Sequence, residues 1–216
     1  FMPGGTVLSW ARTDPAGAVW DRKTFTKTAR DNMPEAHMIL AAHGPGRSVA
    51  SGSMTINRTE NGLEEYLEMT VLPTHIEPAW WQDRVNTFLQ AVGTELKPQF
   101  ALVFRTAGND DGSFPPTART VPTPMAVLIG APGIRRLRVD PEAVAGKHRG
   151  SVTGRGRRHG VLIPLDSGRE PAWDAMSSLL STLDGDNGNL ARVLAPKTSA
   201  GPAAAPSSHF GPKSQD

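Results

Sequence analysis

The sequence predicts an α+β fold: one domain on a mainly antiparallel sheet, with two or three helices packed on one face. Three observations predict it. Period-two alternation on both sides of Asn61-Gly62 marks an antiparallel hairpin over 47–72. Apolar residues at steps of three and four after Pro78 mark an amphipathic helix. Short apolar runs at 100–105, 126–130 and 159–165 add strands around a long Pro-rich loop.

Taken in order, Thr6 to Trp10 reads as a first strand. Asp14-Pro15 then resembles a helix start, with Asp as the cap and Pro at the first helical position. That helix is expected to run to Arg30 with Trp20, Phe25 and Ala29 inward. His37 to Ala42 is a strand that ends at the turn residues His43-Gly44-Pro45-Gly46. Arg47 to Asn57 follows, with Ala50, Gly52, Met54 and Ile56 on one face. Leu63 to Leu72 is its partner. There Leu67, Met69 and Val71 share one face, and Glu64, Tyr66, Glu68 and Thr70 share the other, which is expected to be wet.

Pro78 opens the next helix, whose inward stripe is Trp81, Val85, Phe88, Leu89, Val92 and Leu96; it stops at Lys97-Pro98. Phe100 to Arg105 fits a buried strand. A loop with four prolines covers 107–124, and Ala126 to Gly130 is another strand. Arg135 to Val139 (RRLRV) reads as a strand or a lining segment, and Pro141 to Gly146 as one or two helical turns. Lys147 to Arg158 is a basic loop, and His159 to Leu165 a strand. Pro171 opens a helix with Trp173, Met176, Leu179, Leu180 and Leu183 inside, and a short helix follows at 190–194. The domain thus spans 1–195. The Pro-, Ala- and Ser-rich stretch 196–216 buries too little apolar surface to offset its conformational entropy, and reads as a disordered tail.

Composition removes whole classes of function. The chain has no Cys, which excludes disulfide frameworks, thiolate zinc sites and cysteine nucleophiles. No stretch approaches the ~18 consecutive apolar residues of a membrane helix. A reducing compartment suits the absence of Cys, and the first residues lack a secretory pattern, so the expected location is the cytoplasm. The six His show no HExxH spacing; His37 and His43 fall on one strand but lack a nearby carboxylate. Neither a metal nor a cofactor is expected. No G-x-S-x-G elbow occurs, and Gly154-Arg155-Gly156 leads into a strand, not a helix, so it is no nucleotide cradle.

Two constellations remain. Glu64 and Glu68 project on one face with Tyr66 between them. They could be a catalytic carboxylate pair, a solvated sheet face, or an acidic, aromatic-centred strip that docks a basic protein. Trp80 adds an anchor, because it and Trp81 cannot face the same way on one helix. The second constellation is the basic loop. Its Lys147, Arg149, Arg155, Arg157 and Arg158 fall within twelve residues without one acid. It is a solvated hairpin tip or a contact for nucleic acid or polyphosphate, although no aromatic is interleaved for base stacking.

The layout of residues 48–183 resembles the bacterial immunity protein 52 family, found beside polymorphic toxins. The resemblance rests on the hairpin at 48–72, the long helix Pro78–Leu96 running into Phe100–Arg105, and the Pro-rich loop. AVLIG at 126–130, RRLRV at 135–139, GVLIPLD at 160–166 and the helix through Trp173–Leu183 complete it. It implies a small cytosolic protein that binds and blocks a cognate toxin without catalysis of its own. The Gly/Arg-rich stretch before His159 departs from the family pattern.

Overall fold

A computed structural model describes residues 7–12, 16–44, 47–59, 62–71, 78–106, 121–154, 159–166, 170–185 and 190. The fold is α+β and single-domain, but it is built on two antiparallel sheets and not one.

The first sheet has the order β2-β1-β3-β4-β5. Its strands are β1 (Val7–Ala11), β2 (Ala18–Val19), β3 (Glu35–Gly44), β4 (Arg47–Thr59) and β5 (Gly62–Val71). Register fixes the faces. Ala36, Met38, Leu40 and Ala42 of β3 pair with Ile56, Met54, Gly52 and Ala50 of β4, so the alternation in both strands converges on one apolar surface. Helix α1 (Arg22–Asp31) covers that surface with Phe25 and Ala29. Trp10 meets Phe25 edge-on, with ring centroids 5.3 Å apart. A Cβ at Gly52 would strike the Glu68 carbonyl oxygen and the Met69 Cα, so glycine lets β5 lie close against β4.

The first helix starts later than Asp14-Pro15 suggested. Ala18-Val19 pairs with Trp10 and Ser9 as a strand, and Asp21 is the N-cap, accepting from the Thr24 N–H at 2.7 Å. The Thr24 hydroxyl first, and then this N–H, hold the Asp21 carboxyl below the ordinary carboxylate value. Trp20 therefore precedes the helix and is exposed, with its ring against Phe25. Asp14 and Pro15 lie outside the described residues.

The second sheet has the order β6-β7-β9-β8. It comprises β6 (Phe100–Arg105), β7 (Thr123–Ile129), β8 (Ser151–Thr153) and β9 (Gly160–Pro164). Helix α2 (Pro78–Glu95) packs Val85 and Leu89 against Ala126, Leu128 and Leu162 on one face. On the other face lie α3 (Ala131–Leu137), α4 (Pro141–His148) and α5 (Ala172–Asp184). They set Ile134, Leu137, Val144, Met176, Leu179 and Leu183 against Val127, Ile129, Val161 and Ile163. Helices thus cover both faces of this sheet, against the expectation of one. Continuous apolar runs in β7 and β9 are what two covered faces require.

RRLRV is not a strand. Its first three residues close α3, which Gly130 caps and which carries Pro in its first turn. Ile134 and Leu137, three apart, face the core while Arg135 and Arg136 stay out. The strand reading took every second residue of a segment whose true spacing is three. The basic loop is also shorter than expected. Lys147 is in the last turn of α4, Arg149 is its C-cap in the left-handed region (φ 54), and 151–153 form β8.

Burial departs from the helical stripes at several positions. Phe88, Leu96, Trp173 and Leu180 are exposed, and β6 is an edge strand with Leu102 and Phe104 exposed. The Trp81 side chain, residues 191–194 and the tail 196–216 lie outside the described residues.

Candidate functional site

Strand β5 is one edge of the first sheet, and every residue from Gly62 to Glu68 is exposed. Antiparallel pairing with β4 places Glu64 opposite Asn57, Tyr66 opposite Thr55, Glu68 opposite Ser53 and Thr70 opposite Ser51. Pairing of β4 with β3 extends the rows: Asn57 to Glu35, Thr55 to His37, Ser53 to Ile39. All these side chains lie on the face away from α1. The strip read from sequence as Glu64, Tyr66 and Glu68 is therefore one edge of a wider polar surface. Glu35, His37 and Asn57 belong to it; parity places Glu35 and His37 on one face of β3, and register with β4 joins Asn57 to them.

Its electrostatics are one-sided. The ladder face carries Glu35, Glu64 and Glu68 and no Lys or Arg from β3 or β5. Among the described residues, none of the three carboxylates has an ion-pair partner. The middle row holds Tyr66, 63% exposed, beside Thr55, whose hydroxyl lies 3.2 Å from His37 Nδ1. In the acidic row the Asn57 Oδ1 is buried and has no hydrogen-bond partner among the described residues. Three carboxylates make a surface that accepts hydrogen bonds and offers few in return.

Glu64 and Glu68 are four residues apart, so their backbones stand about 13 Å apart along the strand. Paired glycosidase carboxyls sit roughly 5–9.5 Å from each other. The spacing suits a docking strip better than an acid–base pair.

The other sequence candidates fall elsewhere. Trp80 is in the first turn of α2, which packs on the second sheet; its side chain is outside the described residues. Lys147 and Arg149 stand at the C-terminal end of α4. Arg155, Arg157 and Arg158 lie outside the described residues, in the connection between Thr153 and Gly160. Among the described residues no three His, Asp or Glu side chains are grouped so as to hold a metal ion. No helix among them is long and apolar enough to cross a membrane.

Residues 3–185 match the family model described as DUF6177, C-terminal domain. The chain belongs to the DUF6177 C-terminal domain family. No curated protein and no solved structure matches it.

Proposed function

We propose that this DUF6177 domain is a non-enzymatic protein-binding module that receives a basic segment of a partner on its β3–β4–β5 face. Toxin neutralisation, the role implied by the layout resemblance to immunity protein 52, is the cellular function we assign to it. The observation that carries the reading is a ladder face with no Lys or Arg from β3 or β5 and, among the described residues, three carboxylates without an ion-pair partner around an exposed tyrosine. Lys or Arg side chains of a partner would supply the missing donors, Tyr66 would give the contact an apolar centre, and opposite charge would speed encounter. The β5 edge adds unpaired main-chain groups that an extended segment can join.

The test uses the full chain as bait in a lysate of its source organism, with and without nuclease treatment, at low and moderate salt. Three baits are compared: the natural chain, Glu64→Lys with Glu68→Lys, and Arg155→Ala with Arg157→Ala and Arg158→Ala. A discrete protein held by the first and third baits but lost by the second supports the reading. Retention of nucleic acid alone, at low salt, through Lys147, Arg149, Arg155, Arg157 and Arg158 would replace it with polyanion binding. Turnover of a substrate by the purified chain would overturn it.

A further inference from the structure

A second polar surface lies on the other sheet, on the side that α2 covers. Asn86 and Gln90 of α2, Arg149 and Gly150 after α4, Ser151 of β8, and Leu162 and Pro164 of β9 line an open cleft of about 120 Å³. At ~30 Å³ per water, that is room for roughly four waters, the size of one oxyanion and too small for a nucleoside.

The exposed lining is more apolar than polar and contains no acid; four of its residues, Asn86, Gln90, Arg149 and Ser151, carry side-chain donors. Arg149 brings a guanidinium with five N–H groups, and among the described residues it has no carboxylate partner. Gln82 donates to Asn86 Oδ1 at 3.4 Å, which leaves the Asn86 amide group as a donor. Gln90 and Ser151 add an amide and a hydroxyl. Leu162 is buried and closes the floor, so hydrogen bonds made here are partly shielded from water.

The Arg149 backbone is left-handed (φ 54), where Gly or Asn is usual, as is that of Arg138 at the end of α3 (φ 58); of the two, Arg149 borders the cleft. The last turn of α4 does not need its side chain, because the N–H groups of Arg149 and Gly150 both donate to the Ala145 carbonyl. The position is rigidly placed. A Cβ on Gly150 would strike Ile163 Cδ1 and the Leu162 carbonyl, so the rim lies hard against β9. A side chain held at a backbone position that favours glycine, not needed for capping, and beside three other donors has the geometry of a ligand contact.

We infer that this cleft binds a single phosphate-sized oxyanion, either free phosphate or the phosphoryl group of a monoester, with Arg149 as the principal contact and Asn86, Gln90 and Ser151 completing the shell. The inference is independent of the β5 face. It also differs from polyanion binding through Arg155, Arg157 and Arg158, because the contacts come from α2, β8 and the end of α4.

The test is an amide-resonance titration of the full chain with inorganic phosphate, and separately with methyl phosphate, at ionic strength held constant with chloride. Saturable shifts centred on Gly150, Ser151 and the Asn86 and Gln90 amides are expected. Saturation by phosphate alone assigns the free anion, and saturation by both assigns the phosphoryl group. Arg149→Gly removes the guanidinium at a position where glycine is unstrained, so it keeps the fold, and it should weaken binding roughly tenfold or more. Gln90→Ala should weaken it several-fold. Arg155→Ala with Arg157→Ala and Arg158→Ala should leave it unchanged. Shifts that do not saturate, that match those of chloride, that survive Arg149→Gly, or that vanish in the triple variant would each overturn the site.

Discussion

In the five-stranded sheet, one ten-residue helix covers one face, and among the described residues no helix covers the other. In the four-stranded sheet, α2 covers one face and α3, α4 and α5 cover the other. Their strands differ accordingly. Along β3 buried and more exposed residues alternate, while from Pro124 to Ile129 β7 is buried throughout. A sheet covered on both faces has no surface left for a partner except its edges and the clefts between its helices. A sheet covered on one face exposes the whole of the other, and there the sequence places Glu, Tyr, His and Thr. The difference puts the larger buried core in the second sheet and is the basis for proposing partner contact on the first.

The largest effects should break this division at the second core. Leu128 is fully buried beneath α2, and Leu128→Ala should destabilise by about 2–5 kcal/mol in chemical denaturation. Leu67 of β5 is 53% exposed, and Leu67→Ala should change stability by less than about 0.5 kcal/mol. Similar losses from the two changes would show that β5 is as deeply packed as β7.

A smaller effect is expected where the first sheet is most constrained. Gly52→Val forces a side chain into the β5 backbone and should destabilise by about 1–3 kcal/mol. Amide exchange should quicken across Gly62–Val71 and stay slow in β7 and β9. Uniform loss of protection in both sheets would contradict their separate cores.

The smallest effect concerns pH. Burial, reinforced by Lys147, holds the His148 imidazole below its ordinary value of 6.5, against a weaker opposing pull from Glu170. The Thr182 hydroxyl donates to the Ser178 carbonyl at 2.9 Å, so it accepts from His148 Nε2–H at 2.8 Å and leaves Nδ1 to take the proton. The unfolded chain therefore takes up a proton before the folded one does. Stability should be level above neutrality and decline modestly as pH falls from the ordinary value through the depressed folded value. His148→Gln should flatten that decline. Melting curves from pH 5 to 8 check it, and a decline of equal size in the variant would rule His148 out as its source.

Much of the hairpin was legible because one wet face imposes strict alternation. Ala50, Gly52, Met54 and Ile56 sit on the α1 side, and Glu64, Tyr66 and Glu68 on the open side, as the pattern implies. The division into two sheets was not legible, since pairing between strands is non-local and short apolar runs carry no record of their neighbours. Asp14 and Asp21 are equally good local caps; the pairing of Ala18-Val19 with β1 decides between them. Trp173 sits on the apolar stripe of its helix, yet it stands exposed at the α5 start, with its ring 6.2 Å from Phe104 and its Nε1 donating to the Pro122 carbonyl. Glu35 and Asn57 join the acidic face only through register, and Asn86 meets Arg149 only because α2 crosses β8 and β9.

Hydrogen exchange on the complex with a captured partner tests the central claim most directly. Protection should rise across Glu35–Thr59 and Gly62–Val71 while β7 and β9 stay unchanged, and it should disappear with Glu64→Lys and Glu68→Lys. Protection confined to the second sheet, or unaffected by that charge reversal, would contradict the assignment of partner binding to the open face.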